Sequence, residues 1–281
     1  MVTALTLGAL AAAVQAGTPL SPPVKVVTAP APTAAPPRLS GTQTATLASA
    51  AQAAKPASLS KLDLSNMRLW NWAAKWHASE WANAFSPIPW KYDHVRQLAS
   101  GATQLTLDRS GAPQLTAQGG IPAIASGLWE TDVTLPRLAS GVIVAPLWLY
   151  DGTSKDEIDF EFAGRNGLDV SLHRNVGGVV QHASTRLFAG QDMSGQRHRF
   201  GIKVDQYAGY IEMYLDGKRV HRWDRAKTPL FVSHRLKPVM EMWVVNQNDA
   251  NFVAWAGKVQ GMPTGGSMVM TVHGYGYTSL K

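Results

Sequence analysis

The sequence predicts an all-β protein built as an antiparallel β-sandwich. Three observations predict it. From about residue 100 onward, short runs alternate apolar and polar residues, the period of a strand with one buried face. Asp216-Gly217 stands between two apolar runs and is a tight-turn dipeptide. The same region holds almost no helical periodicity, and many strands without helices pack as two antiparallel sheets.

The first 16 residues are expected to be a signal peptide. Ala4 to Val14 is apolar and rich in small residues, and Val14-Gln15-Ala16 suits a small-x-small cleavage site. No Lys or Arg precedes that stretch, so the charged start of a leader is missing, and a true start upstream and a chain clipped there are the two alternatives. The stretch is too short to span a bilayer, and no later run reaches the roughly 18 apolar residues of a spanning helix. No membrane span is expected, and the protein is expected to be secreted or periplasmic. Residues 17–60 hold eight of the 17 prolines, with much Ala, Thr and Ser and no hydrophobic period. They read as a disordered linker. The remaining domain covers residues 61–281.

That domain opens with Trp70, Trp72, Trp76, Trp81 and Trp90. Trp72 and Trp76 are four apart, which suits a short amphipathic helix. Pyranose rings present apolar CH faces, so exposed tryptophans are candidate sugar platforms, and core packing is the plainer reading. Trp90, followed by Asp93 and His94, is the best cleft candidate of the group. Strands are expected over 104–108, 129–135, 141–150, 168–173 and 200–204, with 268–272 as a closing strand.

Composition bounds the chemistry. There is no cysteine, which excludes disulfides, thiolate chemistry and Cys-based zinc sites. The formal charge is +7, of which Lys25, Arg38 and Lys55 supply +3 before residue 61, where no acid occurs. No basic stripe of the nucleic-acid-binding kind is present, so no nucleic acid is expected as a partner.

The most informative run is Asp156-Glu157-Ile158-Asp159-Phe160-Glu161-Phe162. In a strand, Glu157, Asp159 and Glu161 stand on one face and Ile158, Phe160 and Phe162 on the other. The Cα atoms of Glu157 and Glu161 would lie about 13 Å apart. Leaning side chains would bring their carboxyls toward the roughly 5–5.5 Å separation of a retaining glycosidase pair. Like charges in register are unfavourable, so at least one acid should keep its proton near neutral pH. A half-exposed strand with an acidic outer face is the plain alternative.

The run, followed by Ala163-Gly164, resembles the active-site strand of glycoside hydrolase family 16, in the shorter motif form found in licheninases and xyloglucan enzymes. Gly127-Leu128-Trp129-Glu130, Ser140-Gly141 through Tyr150, Arg197-His198-Arg199-Phe200, Gly209-Tyr210 through Asp216-Gly217, Glu241-Met242-Trp243 and Trp255-Ala256-Gly257 resemble further family segments in family order. The resemblance implies a jelly roll of the concanavalin A-like kind, whose concave sheet forms the substrate groove. It implies Glu157 as nucleophile, Asp159 as its electrostatic helper and Glu161 as acid/base. The implied activity is endo-acting, retaining hydrolysis of a polysaccharide such as a β-glucan or a bacterial exopolysaccharide. A transglycosylase and a non-catalytic carbohydrate-binding module are the alternatives.

Further substrate-binding candidates are Trp90, Glu130, Trp148, His173, Trp243 and Trp255, with Asn246 beside them. Arg165, Arg174, His182 and Arg186 are candidates for meeting an acidic polymer. No cofactor or catalytic metal is expected. Some family members hold a structural calcium, for which no ligands are identifiable in this sequence. The partner is a polysaccharide and a monomer is expected. Three departures from the family pattern stand out: Leu115 through Gly120 replaces a Glu-Tyr-Arg stretch, Val204 stands where members often have Trp, and Glu241 replaces an Asn. They leave the substrate open.

Overall fold

The computed structural model describes residues 58–280 except 71 and 262–265. The expected leader over 1–16, and the expected linker as far as residue 57, lie outside the described residues. Ser60 is already bridged to Tyr275 by a pair of backbone hydrogen bonds of 2.9 Å.

Among the described residues the chain forms fourteen strands and one α-helix. The strands are β1 (Trp76–Ala78), β2 (Val95–Gln97), β3 (Thr103–Asp108), β4 (Gln114–Ala117) and β5 (Gly127–Thr134). Then come β6 (Val142–Tyr150), β7 (Glu157–Ala163), β8 (Leu168–Val176), β9 (Val179–Leu187) and β10 (Arg197–Asp205). The hairpin β11 (Tyr210–Leu215) and β12 (Lys218–Asp224) precedes β13 (Lys237–Val244), helix α1 (Ala250–Ala256) and β14 (Ser267–Thr278). They make two seven-stranded sheets with every neighbour antiparallel. The first runs β1-β4-β13-β6-β7-β8-β9 and the second β12-β11-β10-β5-β14-β3-β2. This is the antiparallel sandwich that the alternating runs predict.

The core lies between the sheets. Ile158, Phe160 and Phe162 of β7 are buried in it, and Phe160 and Phe162 meet Phe200 of β10 at ring distances of 5.4 and 6.1 Å. Each such side chain contributes about 1.5–3 kcal/mol of burial, so β7 cannot slip by one residue without exposing its whole apolar set. The β11–β12 turn forms as its sequence requires, with Asp216 and Gly217 both left-handed at φ 52° and 75°.

One irregularity shapes the first sheet. In β6, Val144 pairs with Phe162 and Leu147 with Phe160, so β6 carries one more residue than β7 across that step. The bulge falls on Ala145-Pro146, where a proline is tolerated because no ladder N–H is needed. Its carbonyl is not lost, since Thr131 Oγ1 of the opposite sheet donates to Pro146 O at 3.1 Å.

One expectation is corrected. Trp72 and Trp76 do not share a helix. Trp76 lies in β1, buried edge-on against Tyr275 of the opposite sheet at 5.2 Å, and that pairing overrides the four-residue spacing. The strand expected over 268–272 forms as part of β14, the last strand, which runs twelve residues and pairs with both β3 and β5 inside the second sheet.

Helix α1 lies over one end of β6 and β7. Asp249 caps it, accepting from Asn251 N at 2.8 Å and Phe252 N at 3.3 Å. Gly141 N donates to Ala256 O at 2.8 Å. Gly164, just after β7, has φ 63°, and a Cβ there would run into the Ala256 carbonyl. Gly164→Ala is therefore expected to destabilise the fold by about 1–3 kcal/mol. The check is a urea melt, where the midpoint should fall at constant slope. An unchanged midpoint would mean that α1 is free to shift.

Candidate active site

Side chains of the first sheet that point away from the core line up in three rows across its strands. The middle row is His77, Thr116, Val239, Trp148, Asp159, Ser171 and Ser184. On one side run Lys237, Tyr150, Glu157, His173 and His182. On the other run Gln114, Glu241 and Ala145 and then, past the bulge, Glu161, Asp169 and Arg186. An outward face normally meets water. Yet Asp159 is only 1% exposed and Glu241 4%, and Trp148 is buried as well. The face is thus the floor of a recess with walls raised by neighbouring segments.

The three expected carboxylates stand together on that floor. Asp159 is flanked in its strand by Glu157 and Glu161, both half-buried. His173, opposite Glu157 on β8, places Nε2 3.0 Å from Asp159 Oδ2 and 3.7 Å from Glu157 Oε1. Its ring stacks on His182 at 5.5 Å, and burial together with the neighbouring His173 keeps His182 below the usual imidazole range. Burial pushes the carboxyls of Glu157, Asp159 and Glu161 well above the usual range, and mutual repulsion adds to this at Glu157 and Glu161. His173 acts in the opposite sense on Glu157. The trio therefore holds its protons to higher pH than ordinary carboxyls do, so that a proton donor and an ionised acid can coexist at one site.

Glu157, Asp159 and His173 each offer a ligand atom, all within 4.8 Å of one another. Two carboxylates and an imidazole suit a small divalent cation. A cation there would cover the lone pairs that Glu157 needs for bond formation.

A fourth carboxylate was missed as a site residue. Glu241 of β13 shares the row of Glu161, with only Ala145 between their strands. Gln114 Nε2 donates to its Oε2 at 2.6 Å, and Ser79 Oγ donates to Gln114 Oε1 at 2.5 Å. Trp243 also donates to Glu241. Burial pushes Glu241 up to about 7 despite these bonds, and its charge raises all three carboxyls of β7. The sequence signal was weak: a polar residue alternating with Met240 and Met242, noticed only as a departure from a family Asn.

The remaining candidates separate. Trp148 lies between Val239 and Asp159 in the middle row, and its buried indole N–H has no acceptor among the described residues. Trp255 donates from Nε1 to Asp169 Oδ2 at 2.6 Å, directly beside Glu161 in register. Trp243 packs among Phe85, Phe252 and Trp255 and forms the wall on that side. Asn246 accepts from Asn248 N in the turn beyond β13.

Two expectations fail. Glu130 does not neighbour the acidic strand. It lies on β5 of the opposite sheet between β10 and β14, where Arg199 grips it at 2.7 and 2.8 Å. Trp90 is 4% exposed within the core cluster, because its backbone bridges to Ala112 and draws the ring inward. Its neighbour His94 binds Asp93 and Asp108 at 2.8 and 3.1 Å.

Of the basic candidates, Arg186 is held bidentately by Asp169 at 2.8 Å and Arg165 reaches Asp192 at 3.5 Å. Arg174 reaches the carbonyls of Pro229 and Phe231. No helix of the described residues is long and apolar enough to cross a membrane.

A two-sheet antiparallel sandwich with buried acids on one outward face is the class that this fold and site define. The family model of glycosyl hydrolases family 16 matches residues 82–259. The chain belongs to that family. It is 29% identical over 168 residues to a beta-glucanase of Acetivibrio thermocellus, covering 54% of this chain and 47% of the relative. It is 28% identical over 178 residues to xyloglucan endotransglucosylase/hydrolase protein 2 of Arabidopsis thaliana, covering 61% and 58%. The chain thus spans about half the length of these curated relatives. Among solved structures, a Bacillus licheniformis beta-glucanase superposes with a TM-score of 0.59 at 18% identity, over 76% of this chain and 96% of that one. That likeness establishes the jelly-roll fold.

The Glu241 proton makes a prediction. Its folded value of about 7 lies above the ordinary 4.5, so the folded state binds the proton more tightly than the unfolded one. The resulting stabilisation is full below pH 4.5 and erodes as pH rises through 7, by about 3 kcal/mol in all. Glu241→Gln keeps an acceptor for Gln114 and carries no charge. Its stability relative to the parent protein should rise between pH 5 and pH 8 in paired urea titrations. A pH-independent difference would mean that Glu241 is ionised throughout.

Proposed function

We propose that the protein is a secreted or periplasmic, endo-acting β-glycanase that cleaves internal β-glycosidic bonds by a retaining double displacement. Glu157, Asp159 and Glu161 on the outward face of β7, Asp159 buried and the two glutamates half-buried, carry this reading. Glu157 attacks the anomeric carbon while Glu161 protonates the leaving oxygen. Water then attacks the glycosyl-enzyme, and Glu161 takes its proton. Asp159 and His173 share the charge and protons of the nucleophile, so that Glu157 ionises as the bond forms. Trp148 and Trp255 line the sugar path.

The substrate is a β-glucan or a bacterial exopolysaccharide. The beta-glucanase relatives support the first. Export rests on the apolar run from Ala4 to Val14.

A binding module is the weaker reading. Three acids crowded in a recess with no Lys or Arg among the described residues paired to them cost stability, and binding neutral sugars does not require that cost. Transglycosylation is the second catalytic reading, supported by the xyloglucan endotransglucosylase/hydrolase relatives. It shares the covalent intermediate and differs in whether a sugar hydroxyl or water resolves it.

A reducing-end assay against mixed-linkage glucan, laminarin, xyloglucan, agarose, carrageenan and acidic exopolysaccharides tests the reading, with product sizing. Longer products would mark transfer. Glu157→Ala should lose roughly a thousandfold or more in kcat. With an activated substrate and azide it should yield a glycosyl azide of inverted anomeric configuration. Glu161→Ala under the same conditions should yield the retained azide. Undiminished turnover by Glu157→Ala would sink the assignment.

A further inference from the structure

Four of the large apolar side chains exposed among the described residues lie between 69 and 81: Leu69, Trp70, Trp72 and Trp81. Exposed tryptophan is costly and marks a contact surface. Three features give this one a direction.

First, the rings are ordered. Trp70 stacks on His77 with centroids 4.1 Å apart, and Trp81 lies nearly parallel to both, at interplanar angles of 12° and 13°. Trp70 remains 69% exposed on top of a buried imidazole, so one broad aromatic face is open to water. The segment is anchored: Ala78 N donates to Met67 O, and Gln118 N and Gly120 N donate to Lys75 O and Ala74 O.

Second, the surface continues the active-site floor. Trp76 and Ala78 point into the core, so His77 points outward. It ends the same row that holds Val239, Trp148 and Asp159. Four strand spacings separate β1 from β7, or about 19 Å along the sheet.

Third, the charges around it are engaged: Lys75 pairs with Asp63, Lys91 with Glu80, and Arg68 lies over the Tyr92 ring at 4.2 Å. A flat, neutral, aromatic face suits the CH face of an uncharged pyranose ring better than a charged partner. Trp70, His77 and Trp81 also precede residues 82–259, which the family match covers, so the feature belongs to this chain's own entry segment.

We propose that Trp70, His77 and Trp81 form a distal sugar platform that holds the polysaccharide several rings away from the carboxylates. The proposal rests on the glycanase reading. It makes the enzyme favour long chains, because a short oligosaccharide bound at Asp159 cannot reach β1.

The full chain tests it. The double variant Trp70→Ala/Trp81→Ala removes exposed rings only. It should raise KM on the polymer that the parent protein cleaves by roughly tenfold or more. On a short aryl oligosaccharide, kcat/KM should stay within about twofold. Affinity electrophoresis through gels cast with each polymer named above should lose its retardation in parallel. Tyr207→Ala, which removes a 92%-exposed ring from the turn between β10 and β11 of the other sheet, should change neither.

An unchanged KM on polymer overturns the platform, as does an equal loss on the short substrate, which would mean damage at the carboxylates. Sedimentation covers the other occupant: a dimer lost in the double variant, with polymer KM unchanged, would make this a contact between copies and overturn the proposal. Failure of the parent protein to cleave or bind any polymer would instead remove the glycanase reading, before any variant is compared.

Discussion

Everything at the site depends on holding like-charged acids out of water on one face of a strand. The alternation in β7 makes this unavoidable. Once Ile158, Phe160 and Phe162 enter the core, Glu157, Asp159 and Glu161 must all face outward together. Ionised side by side in a recess, they would repel and lose hydration. Protons relieve that conflict, and His173 at 3.0 Å from Asp159 offers a group that can take positive charge. The protonation pattern is therefore a property of the cluster, and the chemistry follows from it.

The surroundings of the cluster are built to keep that conflict alive. The bulge at Ala145-Pro146 puts a methyl group where a larger side chain would separate Glu161 from Glu241. Glu241, gripped by Gln114 and Trp243, then adds a fourth charge-bearing group to the same floor. Helix α1 closes one end, and Trp255 reaches from its last turn to Asp169. Each of these elements lowers the access of water, which strengthens every charge interaction at the floor. Glu241 lies within the span that the family model matches, residues 82–259, and the Trp70–Trp81 surface precedes it.

Local signals in the chain carried much of this. The period-2 runs gave the sandwich, Asp216-Gly217 gave its hairpin turn, and the acid row of β7 was readable from seven residues. His173, a substrate-binding candidate in the sequence, stands on β8 directly opposite Glu157. The failures share one cause. Trp90, a cleft candidate for the Asp93 and His94 that follow it, is drawn into the core by its bridge to Ala112, and Glu130, in the Gly127–Glu130 segment, belongs to the other sheet. Trp72 and Trp76 were read by helical spacing, but the pairing of β1 with β4 decided their backbone.

Sequence alone determined what each strand does along its own length: which residues face inward, which face outward, where a hairpin turns. Those are short-range consequences of backbone geometry, and they include the identity of the three acids. Tertiary structure alone decided which strands lie side by side. That β13 sits next to β6 brings Glu241 to residues more than seventy positions earlier in the chain, and that β1 ends the same sheet aligns His77 with Asp159. Lateral order is set by how two whole sheets bury their apolar faces against each other, a sum over the entire chain that no single segment encodes.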